Sequence, residues 1–158
     1  MAKRVYLDTN VYCRPLDDQT DHRFRSESRA FTLLADAALR RQIIILSSDY
    51  VQFEIEKIAD PSERKDVRGF ERALSSISVT SSEGLVALAT EFHSKCSLNP
   101  LDTLHVSASC MGEADFLTCD DEILDRRICI ENLAAERGYR LKVWNPVNYL
   151  KEGLRRRR

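Results

Sequence analysis

No apolar run in this chain approaches the ~20 residues that a membrane-crossing helix needs. No Walker loop and no Gly-x-Gly-x-x-Gly stretch is present, which removes the usual nucleotide cradles. Ser107 and Ser109 stand in no Ser/His/Asp arrangement, so acyl chemistry finds no support. There is no internal repeat and no low-complexity linker, and 158 residues suit one domain with its own core. Cysteine is present, at positions 13, 96, 110, 119 and 129, but no Cys-x-x-Cys pair occurs. The odd number and the spacing argue against a disulfide framework and against a zinc knuckle. Reduced, mostly buried thiols are expected. Met1-Ala2-Lys3-Arg4 leads straight into a strand rather than a signal peptide, so the expected location is cytoplasmic, with no membrane partner.

What is present is ordinary in bulk and uneven in detail. Hydrophobic residues make up 43% and charged residues 31%, as in a globular domain. Net charge is −1, yet Arg155, Arg156, Arg157 and Arg158 are all basic; without them 20 basic residues face 25 acidic ones, a net −5. A mildly acidic body, residues 1–150, therefore carries a basic end, 151–158, expected to be a disordered tail. Such a tail either attracts phosphate backbones or only solubilises. Arg14, Arg23, Arg25, Arg29, Arg40 and Arg41 offer further phosphate contacts, although a solvated helix face accounts for most of them.

Short β-branched runs alternate with helical stretches. Val5-Tyr6-Leu7, Ile43-Ile44-Ile45-Leu46, Ile77-Ser78-Val79, residues 115–119 and 141–144 read as strands. The second is continuously apolar, as in a strand covered on both faces. Helices are expected over 22–41, 49–59, 61–74, 83–95, 100–111 and 130–137, with a helical turn from Asp121. This order predicts an α/β/α sandwich around a mainly parallel sheet of four or five strands. Ligands of such sheets bind beyond the carboxyl ends of the strands.

Four acids fall at such places, and each has an ordinary explanation. Asp8 follows the first strand and caps a turn. Asp102 is the third helical residue after an Asn99 cap, where the helix dipole favours acids. Asp120 caps the turn after residue 119, and Asp121 competes for that place. Glu54 lies about 40° from Ile58 on the helical wheel, at the edge of the stripe formed by Val51, Ile55 and Ile58. A carboxylate beside a buried face needs a basic partner or a metal ion. Taken jointly, the four predict a pocket for a hard divalent ion, because clustered carboxylates repel each other without a cation. His105 lies one turn after Asp102, where local packing or hydrogen bonding is the ordinary role. His22 and His93 have no partner pattern.

These residues resemble the PIN-domain family of metal-dependent nucleases. The matches are Leu7-Asp8-Thr9-Asn10-Val11, Leu46-Ser47-Ser48 leading to Glu54, Leu101-Asp102-Thr103-Leu104-His105, Phe116-Leu117-Thr118-Cys119-Asp120 and the ending Asn145-Pro146-Val147-Asn148-Tyr149-Leu150. The resemblance implies Asp8, Glu54, Asp102 and Asp120 as catalytic ligands of Mg²⁺ or Mn²⁺. It makes Asn10 and Thr118 polar supports, with Asp121 either a support or the fourth ligand. Arg14 and the four terminal arginines become nucleic-acid contacts. The implied activity is endoribonuclease cleavage that leaves a 3′-hydroxyl and a 5′-phosphate. Many small members are VapC-type toxins, so a cognate antitoxin and a homodimer are implied partners. A non-catalytic RNA- or protein-binding module of the same fold is the alternative, and a metal-dependent phosphatase or DNA nuclease shares the chemistry.

Overall fold

The structure is a computed structural model, and it describes residues 2–155. The central strand β1, Lys3–Leu7, leads into the short helix α1, Thr9–Cys13, a 3₁₀ turn at Arg14–Leu16 and the long helix α2, His22–Leu39. Then come β2 (Ile43–Ser48), α3 (Asp49–Glu56), α4 (Pro61–Leu74), β3 (Ser75–Val79), α5 (Glu83–Cys96) and α6 (Pro100–Met111). The remainder comprises β4 (Asp115–Leu117), α7 (Asp121–Asp125), α8 (Arg127–Glu136), β5 (Val143–Trp144) and α9 (Pro146–Asn148), followed by a π-helical turn at Tyr149–Gly153.

All five strands are parallel, in the order β3-β2-β1-β4-β5. The chain moves outward from β1 to one edge, returns to pair β4 with β1, and continues to the other edge. The order therefore reverses at the β1–β4 junction, the place where open parallel sheets form a crevice. Val5, Tyr6, Leu7, Ile45 and Leu46 are fully buried, as expected for central strands with helices on both faces. Val67, Leu85, Phe92, Val106 and Ile130 close the core from the helical layers.

Local chemistry sets the boundaries. Asp21, Ser48, Asp60, Ser82 and Asn99 each cap a helix by accepting a backbone N–H. β4 ends at Leu117, two residues before the expected position, because side chains take over its backbone groups. Cys119 N donates to Asn10 Oδ1 and Asp120 N to Thr118 Oγ1. α3 stops at Glu56 rather than residue 59, where Lys57 N and Ile58 N tighten the last turn onto Glu54 O and Ile55 O. At Gly112, an added Cβ would lie 2.2 Å from Leu46 Cδ2 and 3.2 Å from Val79 Cγ2. A side chain there has no space.

Two expectations are corrected. Cys96 and Cys129 form a disulfide between the end of α5 and α8, with Cα atoms 5.7 Å apart; Cys13, Cys110 and Cys119 are the free thiols. The pairing joins residues 33 apart in sequence, and only the packing of α5 on α8 brings them together. The tail also begins later than residue 150. Gly153 is buried, its carbonyl accepts from Lys3 Nζ, and Leu154 packs against the core. Arg155 is exposed, and Arg156, Arg157 and Arg158 lie outside the described residues. Among the described residues, no helix is long and apolar enough to cross a membrane.

Candidate metal centre

The β1–β4 junction carries the acids. Asp8 leaves β1 where its N–H donates to Leu117 O of β4. It is 5% exposed, and its carboxylate accepts three hydrogen bonds. Thr9 N reaches Oδ1 at 2.8 Å; Thr118 Oγ1 at 2.8 Å and Asn10 Nδ2 at 3.2 Å reach Oδ2. Asn10 Nδ2 also lies 3.3 Å from Thr118 Oγ1. His105 lies close by, its Nε2 3.9 Å from Oδ1. Burial raises the Asp8 carboxyl above its ordinary range, opposed by His105 and reinforced by Glu54.

Glu54 arrives from α3, which starts at the carboxyl end of β2. It is half-buried and accepts from Thr9 Oγ1 at 2.7 Å and from His105 Nε2. Burial alone would raise its carboxyl, but the His105 bond and charge outweigh burial and hold it low. α6 runs into β4, so its first turn starts at the same sheet edge and brings Asp102 in. Burial and the charges of Asp8 and Asp120 push the Asp102 carboxyl from 3.8 up to about 7. Asp120 follows β4, half-buried, with Oδ1 capping α7 through Glu122 N at 2.9 Å. The capping roles read from sequence are thus real for Asp8 and Asp120, and they coexist with convergence on one spot.

Asp8, Glu54 and His105 each offer a ligand atom within 4.8 Å of the others. The donor set is mostly carboxylate oxygen and carries unrelieved repulsion at Asp102, which fits a hard divalent cation.

A PIN-domain family model matches residues 5–128. The chain belongs to the PIN-domain family. Solved structures with the same fold include VapBC2 from Rickettsia felis bound to a DNA fragment from its promoter, at 16% identity and a TM-score of 0.57. That match covers 90% of this chain and 99% of that one. FitAcB from Neisseria gonorrhoeae matches at 14% identity and a TM-score of 0.55, covering 90% of this chain and 97% of that one. Comparison with curated proteins finds no significant match.

Within this PIN domain, two expected residues stand elsewhere. Asp121 is exposed, and Arg23 takes both of its oxygens, at 2.7 and 2.9 Å. As the first residue of α7 it lies outside the cap that Asp120 makes. Arg14, expected on a nucleic-acid face, is largely enclosed. It bonds Glu27 and Asp17, each at 2.8 Å, and stacks 4.2 Å above the Phe24 ring. Its charge is already matched by its neighbours.

The sequence reading missed three contributors. Thr9 reads in sequence only as part of a motif, although a hydroxyl beside the first acid is the signal. Glu27, 2% exposed, gathers Arg14, Arg23 and Asn145. Arg23 then donates to Cys119 O at 2.7 Å and so holds the loop that carries Asp120. Nothing in the local pattern of α2 marks Glu27 as buried. Tyr6, in the middle of β1, has its hydroxyl 2.7 Å from His105 Nδ1 and reads in sequence only as core.

Proposed function

We propose that this PIN domain is a metal-dependent endoribonuclease whose Mg²⁺ or Mn²⁺ is held by Asp8, Glu54, Asp102 and Asp120. The observation that carries the reading is geometric: Asp8 and Glu54 offer ligand atoms within 4.8 Å of each other at the sheet edge, and Asp102 stands close enough to Asp8 and Asp120 for burial and their charges to raise its carboxyl. A site that concentrates negative charge without a basic residue beside every acid is built for a cation. The cation supplies activation of water and neutralisation of charge on a phosphoryl group.

The chain's own residues orient the ligands. Thr118 and Asn10 hold Asp8 Oδ2, and Thr9 holds both Asp8 Oδ1 and Glu54 Oε1. Arg23 and the Thr118 hydroxyl fix the loop from which Asp120 projects. The relatives VapBC2 and FitAcB support a further step: the domain acts as the toxin of a toxin–antitoxin pair, with a cognate protein as its inhibitor.

The test is cleavage of a labelled structured RNA with Mn²⁺, with Mg²⁺ and with EDTA, comparing wild type and Asp8→Asn. Cleavage that needs metal and disappears in the variant is the expected result. Equal cleavage by the folded variant removes Asp8 from the machinery. RNA binding without metal, and no cleavage with it, would instead indicate a binding module.

A further inference from the structure

His105 is 1% exposed on α6, and the metal reading so far leaves it without a role. Both ring nitrogens are engaged. Nδ1 lies 2.7 Å from Tyr6 Oη, and Nε2 is bonded to Glu54 Oε1. An ionised carboxylate only accepts hydrogen bonds, so Nε2 bears the hydrogen toward Glu54 whatever the state of Nδ1. A nitrogen that donates in this way has no lone pair for a metal.

Behind the imidazole a second contact runs from Tyr6 Oη to Ser48 Oγ, at 2.5 Å. Ser48 is the cap of α3, where Oγ accepts from Tyr50 N and Val51 N at 3.2 and 3.3 Å. α3 is also the helix that carries Glu54. The chain of contacts therefore starts at the first turn of α3, crosses β1 at Tyr6 and α6 at His105, and returns to a carboxylate on α3. All three linking side chains are buried. Thr9 Oγ1 donates to the same Glu54 oxygen. Both donors thus converge on Oε1, and Oε2 takes no hydrogen bond from the described residues.

We propose that His105 is a positioning residue: its Nε2–H pins Glu54 Oε1 so that Oε2 is presented to the cation beside Asp8, while Tyr6 and Ser48 lock the imidazole in that orientation. The inference rests on the metal-site reading above. It assigns His105 to holding a ligand rather than to being one. Groups that orient metal ligands typically contribute about 10–100-fold in metal affinity.

The experiment is Mn²⁺ titration by calorimetry on wild type, His105→Leu, His105→Gln and Tyr6→Phe, with ¹⁵N NMR of the imidazole in wild type. His105→Leu is expected to weaken Mn²⁺ binding about 10–100-fold. His105→Gln, whose amide can still donate to Glu54, recovers most of that loss, and Tyr6→Phe loses less than His105→Leu. NMR is expected to show hydrogen on Nε2 both without metal and with Mg²⁺. Equal losses in folded His105→Gln and His105→Leu overturn the inference, as does departure of the Nε2 hydrogen when Mg²⁺ is added. If the leucine variant does not fold, the wild-type NMR decides. Wild type that binds no Mn²⁺ overturns the metal reading itself and the inference with it, an outcome distinct from any difference among the variants.

Discussion

Asp102→Asn should stabilise the metal-free protein and remove its response to metal. The Asp102 carboxyl rises from 3.8 to about 7 because burial, and then the charges of Asp8 and Asp120, disfavour its ionised form. At about 1.4 kcal/mol per pH unit, a fully enclosed carboxyl would lose about 4 kcal/mol. Asp102 is only half-buried, and solvent screening reduces this to about 1–2 kcal/mol. The sign follows from proton linkage. For an acid whose folded value is raised, the folded state binds more protons, so stability falls as pH rises between the two values. The penalty is absent below about 4, the value in the unfolded chain, and complete above about 7. Asparagine removes it. At pH 8 and without metal, the variant should melt about 2–8 °C higher than wild type, at about 2–4 °C per kcal/mol for a domain of this size. At pH 4 the two should coincide. Saturating Mg²⁺ or Mn²⁺, at 100 times its Kd, adds about 2.7 kcal/mol to wild type and should add little to the variant. Calorimetric or fluorescence melting in EDTA and in metal, at both pH values, measures all four quantities. An Asp102→Asn protein that melts below wild type at pH 8, or gains as much from metal, refutes the argument that these carboxylates await a cation.

Other perturbations test the framework of the site. Glu27→Ala leaves Arg14 and Arg23 without their buried partner and should cost about 3–5 kcal/mol in urea unfolding; a loss below 1 kcal/mol would mean that the cluster is not a structural anchor. Alkylation of the denatured, unreduced protein should label Cys13, Cys110 and Cys119 only, and label Cys96 and Cys129 after reduction, with a loss of about 2–4 kcal/mol on reduction. Five labelled cysteines in the freshly purified, unreduced protein would contradict the pairing. Gly112→Ala drives a methyl into Leu46 and Val79 and should destabilise by about 1–3 kcal/mol, read as a lower midpoint with an unchanged denaturant slope.

Much of the architecture was legible in the residues alone. Periodicity marks α2 and α5, because the apolar stripe that a helix must bury repeats along its own sequence, and a proline in the first turn marks the start of α4 and α6. Unbroken apolar runs mark the central strands for the same local reason. The four acids stand out because each sits where a strand ends or a helix begins, and those places are signalled by caps and turns. Their number and order along the chain sufficed for the family resemblance.

What only the fold decided is who faces whom. Asp120 and Asp121 are neighbours with the same charge and chemistry. One turns into the α7 cap beside Asp102 and the other into Arg23, because the loop is held by Cys119 O and Thr118 Oγ1. Arg14 carries the same charge in any register, yet Glu27 on α2 claims it. Cys96 meets Cys129 only after α5 and α8 have packed. His105 looks like any helical histidine until β1 brings Tyr6 to one of its nitrogens and α3 brings Glu54 to the other. Local pattern depends on bonds and neighbours a few residues away, and the sequence carries it directly. Partnership depends on contacts between residues distant in sequence, 42 positions from Tyr6 to Ser48 and 110 from Asp8 to Thr118, which exist only once the chain has folded.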